Sequence, residues 1–264
     1  MPIKEVLPGV FMIKVPLHGN PLKSVNSYII MAEKPLIIDT GFNLDVCYAE
    51  LVGALNKIGV DYKRAEYFIT HLHVDHLGLA SRLTNSVYMS EVDIKTWQKV
   101  SFRPDKLGFF VMNGFPREEL KIVANLHPAV RYSGKVDFQP VKDGEIFEYG
   151  DYTLKAMLTP GHTPGHMCLY DEEKKILFSG DHILFDITPN IGYWEEHNSL
   201  REYLESLDKI YNLDVNYTFP GHREFHEDIK RRILELKDHH KRRMNEIINA
   251  LKNEEKTAWQ IAPI

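Results

Sequence analysis

Three histidines and one aspartate fall within six residues, in the run His71-Leu72-His73-Val74-Asp75-His76. Imidazole nitrogens and carboxylate oxygens are ligands for Zn²⁺, Fe or Mn. Four such groups cannot all be core residues, because burying them unpaired costs several kcal/mol. The run therefore reads as a metal site. Donors of the same type recur downstream: His162 in Thr159-Pro160-Gly161-His162-Thr163-Pro164-Gly165-His166, Asp181 in Leu177-Phe178-Ser179-Gly180-Asp181-His182, and His222 in Phe219-Pro220-Gly221-His222. Each time an apolar run ends and a glycine frees the backbone to aim the next side chain. The repetition points to one shared site. Of the other histidines, His166 is expected to face away or close a turn, and His182 is a candidate for touching substrate. His18, His127, His197, His226, His239 and His240 read as surface or packing residues, and Cys168, in Met167-Cys168-Leu169-Tyr170, as a small core residue.

Those donors need a scaffold, and the chain supplies alternating strands and helices. Strands are expected over 9–15, 26–31 and 36–39, punctuated by Pro8, Gly9, Gly19, Asn20 and Pro35. Apolar residues at 44, 51, 55 and 58 predict a helix closed by Gly59. Residues 65–70 form a buried strand that delivers His71 at its end, a usual place for an α/β active site. A helix over 76–84, a strand over 87–89 and a helix over 91–100 follow, then strands over 145–149, 152–159, 167–170 and 175–179. Ser199 and Glu202 have the spacing of a capping box ahead of Leu200, Tyr203, Leu204, Leu207 and Ile210. The pattern is mixed α/β, with no internal repeat.

Two stretches depart from it. Residues 95–135 are aromatic, with Trp97, Phe102, Phe109, Phe110 and Phe115, and carry Pro104, Pro116 and Pro128. They read as an insertion packing a satellite core, and, compatibly, as a lid walling the site. From 226 to 251, Ile229, Ile233, Leu236, Met244, Ile247 and Leu251 share a helical face opposite Lys230, Arg231, Arg232, Lys241, Arg242 and Arg243. A charge run of this kind is ordinarily a solvated face.

At 264 residues the chain is one large domain, or one with an appendage. Its 44% hydrophobic and 26% charged content excludes global disorder and fibrous classes. A net charge of −5 argues against coating nucleic acid through bulk charge, and two cysteines exclude a disulfide scaffold or a four-cysteine zinc module. The N-terminus lacks the apolar core of a signal peptide, and no apolar run approaches the roughly 20 residues of a membrane span. A soluble, cytoplasmic protein without membrane contact is the expectation.

The run His71-x-His73-x-Asp75-His76, then His162, Asp181 and His222, resembles the metallo-β-lactamase superfamily in order and spacing. The likeness begins in the early strands, with Asp39 in Ile37-Ile38-Asp39-Thr40-Gly41, and runs to His222. It implies an α/β fold, a four-layer αβ/βα sandwich with a C-terminal helical tail. The catalytic domain would cover residues 1–225, and a helical extension residues 226–264. The resemblance further implies two divalent metal ions, zinc first and Fe or Mn as alternatives. His71, His73 and His162 would hold one ion, Asp75, His76 and His222 the other, with Asp181 bridging and Asp39 orienting a ligand from behind. The implied chemistry is hydrolysis, a metal-bridging hydroxide attacking an ester, thioester or lactone carbonyl of a small molecule, with Asp75 and Asp181 as the catalytic carboxylates. Leu184 stands where lactonases of the superfamily carry a tyrosine, and residues 183–191 have none of the Lys or Arg that glyoxalase II-type thioesterases use for glutathione. Asn190 and Tyr193 join His182 as candidate substrate contacts. The alternatives are an endoribonuclease of this fold, which the C-terminal tail and basic helix bring to mind, and an iron-dependent persulfide-dioxygenase-like enzyme using His71, His162 and Asp181. Nucleic acid is the lesser partner, and the oligomeric state is not legible.

Overall fold

The computed structural model describes residues 3–101, 106–120, 134–224 and 228–262. Twelve strands form two sheets among the described residues. The first holds, in spatial order, β1 (Ile3–Leu7), β2 (Val10–Pro16), β3 (Ser24–Ile30), β4 (Leu36–Ile38), β5 (Glu66–Ile69), β6 (Ser86–Ser90) and β7 (Asp137–Val141). Its first four strands pair antiparallel and β4 to β7 pair parallel. The second sheet runs β12 (Tyr217–Pro220), β11 (Ile176–Gly180), β10 (Met167–Asp171), β9 (Tyr152–Leu158) and β8 (Ile146–Tyr149), with only β11–β12 parallel.

Most of these strands are buried on both faces, so the two-residue period sorts side chains between cores rather than between core and water. Met12, Tyr28, Leu36, Ile38 and Phe68 point inward to the cluster between the sheets, where they meet Phe147, Leu169, Phe178 and Phe219. Their neighbours Ile13, Val15, Ile29, Ile37 and Ile69 point the other way, onto α1 (Asp45–Lys57), α2 (Val74–Leu77), α3 (Ala80–Leu83) and α4 (Glu91–Ser101). On the far side Cys168, Tyr170 and Leu177 pack under α6 (Ser199–Tyr211) and α7 (Ile229–Ala250), through Tyr203, Leu207, Ile210, Ile229, Ile233 and Leu236. Helix, sheet, sheet and helix make the four-layer αβ/βα sandwich. Cys168 is a core residue, as its strand pattern implied.

Several local expectations are corrected. The helix expected over 76–84 is two short helices, because Leu79 N–H turns to Gly41 O at 3.0 Å instead of continuing the helical ladder. The Ser199/Glu202 capping box does not form: α6 starts at Ser199 itself, and the Glu202 carboxylate lies 3.3 Å from His197 Nδ1. A capping box does close at Thr257 and Gln260, ahead of α8 (Ala258–Ile261). Strand β7 was not foreseen because Pro140 breaks its pattern, which an edge strand tolerates. The apolar stripe of α7 is buried only at Ile229, Ile233 and Leu236, while Ile247 and Leu251 are exposed. In the insertion, Phe109 and Phe110 lie on α5 (Lys106–Met112), and Trp97 packs against the first core. Phe102, Pro104, His127, Pro128 and His226 lie outside the described residues. No helix among the described residues is long and apolar enough to cross a membrane.

Candidate metal centre

Strand ends supply the donors. Asp39 follows β4, His71 follows β5, His162 follows β9, Asp181 follows β11 and His222 follows β12, and all meet at one edge of the sandwich. Backbone hydrogen bonds stitch the two sheets there, Met167 N–H to Thr70 O at 2.8 Å and Asn26 N–H to Gly221 O at 2.7 Å. Ligand-capable atoms group as His71, His73 and His162, as Asp75, His76 and His222, and as His71, His76 and Asp181, each set within 4.8 Å. Asp181 touches both halves: its Oδ2 lies 3.6 Å from His162 Nε2 and 3.4 Å from His222 Nε2, and its Oδ1 lies 3.5 Å from His76 Nε2.

Hydrogen bonds on the outer nitrogens fix which ring atom faces the centre. His162 Nδ1–H donates to Asn190 O at 2.6 Å and His222 Nδ1–H to Ser24 O at 2.7 Å. A carbonyl only accepts, so both Nε2 atoms point inward. His76 Nδ1 lies 2.7 Å from Asp39 Oδ2. The Thr70 hydroxyl donates to the same carboxylate at 2.8 Å, leaving its oxygen to accept from His71 Nδ1 at 3.0 Å. Asp39 thus orients two histidines, one directly and one through Thr70, and does so from a left-handed backbone with φ of 59°.

The charges divide the same way. Burial, then the neighbouring His76, holds His71 well below its ordinary pKa, and burial with His162 pushes His73 down to about 3. For His76 burial also acts downward, but Asp39, Asp181 and Asp75 outweigh it and raise the ring well above its ordinary value. His222 is carried the same way to about 10 by Asp181 and Asp75, against its burial. Burial pushes both carboxylates upward, yet the histidines prevail: Asp75 falls to about 2 and Asp181 well below its usual range.

Asp93, passed over in the sequence, and His166 complete the frame. Asp93, fully buried in the first turn of α4, accepts Leu72 N–H at 2.9 Å, the Thr163 hydroxyl at 2.8 Å and Gly165 N–H at 2.6 Å. It clamps the loop carrying His71 and His73 to the loop carrying His162. A Cβ on residue 165 would come within 2.8 Å of Asp93 Oδ1, so only glycine permits this approach. The only sequence signal for Asp93 was an acid at a helix start, which is commonplace. His166, expected to turn away, is buried behind the cluster: its Nε2 accepts Asp181 N–H at 3.1 Å while Nδ1 faces the Thr159 hydroxyl at 2.9 Å. The repeated Pro-Gly-His of the His162 segment was its available signal.

The three candidate substrate contacts are placed differently. His182 is corrected: it is fully buried, its ring 5.1 Å from that of Tyr203, and presents no surface to a substrate. Asn190 serves through its backbone carbonyl on His162. Tyr193 stands exposed beside Trp194, whose indole N–H donates to His162 O at 3.2 Å and whose ring stacks over His73 at 6.3 Å.

The residues fit a metal. Nε2 of His76, His162 and His222 and Oδ1 of Asp181 are buried without a hydrogen-bond partner among the described residues. Unpaired buried polar atoms are costly, and these are metal-ligand types converging on common points. Separations of 3.4–3.6 Å are long for hydrogen bonds and suit atoms with a cation between them.

Known proteins share this fold. A metallo-beta-lactamase family protein from Thermus thermophilus superposes with a TM-score of 0.87 at 29% identity, over 98% of this chain and 87% of its own. A beta-lactamase-like protein 2 homolog of Caenorhabditis elegans is 28% identical over 96% of this chain and 75% of its own length. The atrochrysone carboxyl ACP thioesterase of Aspergillus fumigatus is 27% identical over 90% of this chain and 64% of its length, and the lactamase-like protein nscB of Neosartorya fischeri is 27% identical over 90% and 61%. The chain therefore spans about three-fifths of the fungal relatives. The sequence pattern of the metallo-beta-lactamase superfamily matches residues 20–222, from the turn before β3 to the last histidine of the cluster, and with the sandwich and the converging donors this makes the chain a member of that superfamily.

Proposed function

We propose that the protein is a binuclear metal-dependent hydrolase acting on the carbonyl of a small thioester or ester. The observation that carries this is Asp181 standing between two complete donor sets. His71, His73 and His162 would hold one ion, Asp75, His76 and His222 the second, and Asp181 would touch both, zinc being the first choice for this nitrogen-rich set. Bound there, the ions supply water acidified to near neutrality and a Lewis acid for the carbonyl oxygen. Water adds to the carbonyl carbon, the carbon–sulfur or carbon–oxygen bond breaks, and the leaving group departs with a proton. Asp75 would carry that proton on grounds of position: its carboxylate is 14% exposed, at the open side of the cluster, and reaches 3.4 Å from His222 Nε2. Trp194 stacks over His73 and holds the His162 backbone.

A thioester or ester is favoured over a lactone. Leu184 is buried and offers no hydroxyl, and a thioesterase stands among the relatives. The basic helix gives the nuclease reading no support, since Arg231, Arg232, Arg242 and Arg243 each pair with a carboxylate near them on or beside the same helix. Metal analysis of the loaded protein, with assays on acyl thioesters and aryl esters, tests the reading. About two zinc per chain, with turnover abolished by a chelator and restored by zinc, is expected. One iron with oxygen uptake on a persulfide, or RNA cleavage without ester turnover, would replace it.

A further inference from the structure

A run of aromatic residues leads away from the centre. It starts at Trp194 over His73 and passes to the adjacent Tyr193, whose ring stacks on Phe109 at 4.6 Å and 14°. From Phe109 it continues to Phe110 at 5.8 Å, to Phe115 at 5.4 Å and to Trp259 at 5.0 Å. The last rung comes from the C-terminal helix. Trp259 N–H donates to Asn113 O at 3.2 Å, and α8 can lie this close because residue 114 is glycine, where a Cβ would strike Thr257 Oγ1 at 2.4 Å.

The ladder is not spent on the core. Phe109 and Phe110 are each 41% exposed and Tyr193 is 67% exposed, large apolar faces left in water beside a polar site. Residues 183–198 flanking it contain no Lys or Arg and add Asp186, Glu195 and Glu196, while Lys99 is taken up by Glu196 at 3.2 Å. This segment offers no cation to draw in an anionic chain, and the exposed rings favour a neutral, apolar one.

We propose that the apolar acyl group of the substrate lies along Trp194, Tyr193 and Phe109, with Trp259 fixing the outer end, so that the enzyme takes flat or extended apolar acyl groups rather than short or charged ones. This rests on the thioester or ester reading above. Hydrophobic discrimination of this kind amounts to about tenfold or more per well-filled contact. The test compares kcat/KM for acetyl, succinyl, decanoyl and 2-naphthoyl thioesters of N-acetylcysteamine, in the metal-loaded full chain and in Tyr193→Ser and Trp259→Ala. The wild type is expected to favour decanoyl and naphthoyl over acetyl and succinyl by about tenfold or more, and both variants to lose most of that ratio. Equal losses across the series, or an unchanged ratio, would overturn the proposal. Tryptophan fluorescence titrated with 2-naphthoate and decanoate reads the same surface without turnover. Saturable binding weakened in Tyr193→Ser supports the ladder even where no thioester is cleaved, an outcome that would defeat the hydrolase reading alone. No saturable response in the wild type would overturn the ladder.

Discussion

The two halves of the cluster are fastened differently. His71 and His162 hang on neutral acceptors, the Thr70 hydroxyl and the Asn190 carbonyl, and the loops that carry them and His73 are drawn together by Asp93. His76 and His222 face a dense group of carboxylates, Asp39, Asp75 and Asp181, with Ser24 O as a neutral partner of His222. Burial keeps His71 and His73 unprotonated, while the carboxylates keep His76 and His222 charged. One half is a cage of neutral imidazoles. The other holds protons where a cation would sit and must release them to admit it. Geometry is the investment on the first side and charge on the second.

The largest effect should come from the residue common to both. Asp181→Asn is expected to cut kcat/KM by roughly a thousandfold or more and to lower metal content below one per chain, read by metal analysis beside the assay. Near-native turnover would dissolve the idea of two halves joined there. Next come the two supports, where Asp39→Asn and Asp93→Asn should each weaken metal binding by about 10–100-fold, Asp93→Asn at the first ion alone and Asp39→Asn at both, since Asp39 holds His76 directly and His71 through Thr70. Competition with a chromophoric chelator resolves the two steps, and identical profiles would show that the halves are not separately supported. Gly165→Ala should behave like the Asp93 variant, since it pushes the His162 loop off an intact carboxylate. A smaller change, a few-fold in kcat/KM, is expected of Trp194→Phe, which keeps a ring over His73 and loses the N–H to His162 O. Smallest of all, Cys168 lies outside both halves with its thiol pushed up to about 12 by burial, so iodoacetamide at pH 8 should leave it unlabelled in the folded protein.

Much of the fold could be read from the chain. Strands such as Tyr28-Ile29-Ile30 and Leu36-Ile37-Ile38 declare themselves by apolar runs, and donors placed after them at His71, His162, Asp181 and His222 are rare enough in type to stand out. What escaped is of another kind. Asn190 acts through a carbonyl that every residue owns, so no residue type betrays it. Asp93 looks like any acid opening a helix until Gly165 is brought against it from 72 positions away. His182 has the right type beside the right neighbour, but its strand delivers it beneath Tyr203 instead of into the mouth. The arginines of α7 read as a solvated face, yet Arg232 spends its donors on Leu184 O at 2.7 Å and Ile187 O at 2.9 Å, pinning the loop that leads to Asn190.

The sorting of successive strand residues between separate cores carries a consequence for folding. A slip of one residue in β4, β5 or β11 would exchange every side chain between two oily compartments, which could still bury them all. The same slip would carry Asp39, His71 or Asp181 about 3.3 Å along the sheet and turn it to the wrong side. Hydrophobicity alone proofreads such errors poorly; the ability to capture a cation would detect them all.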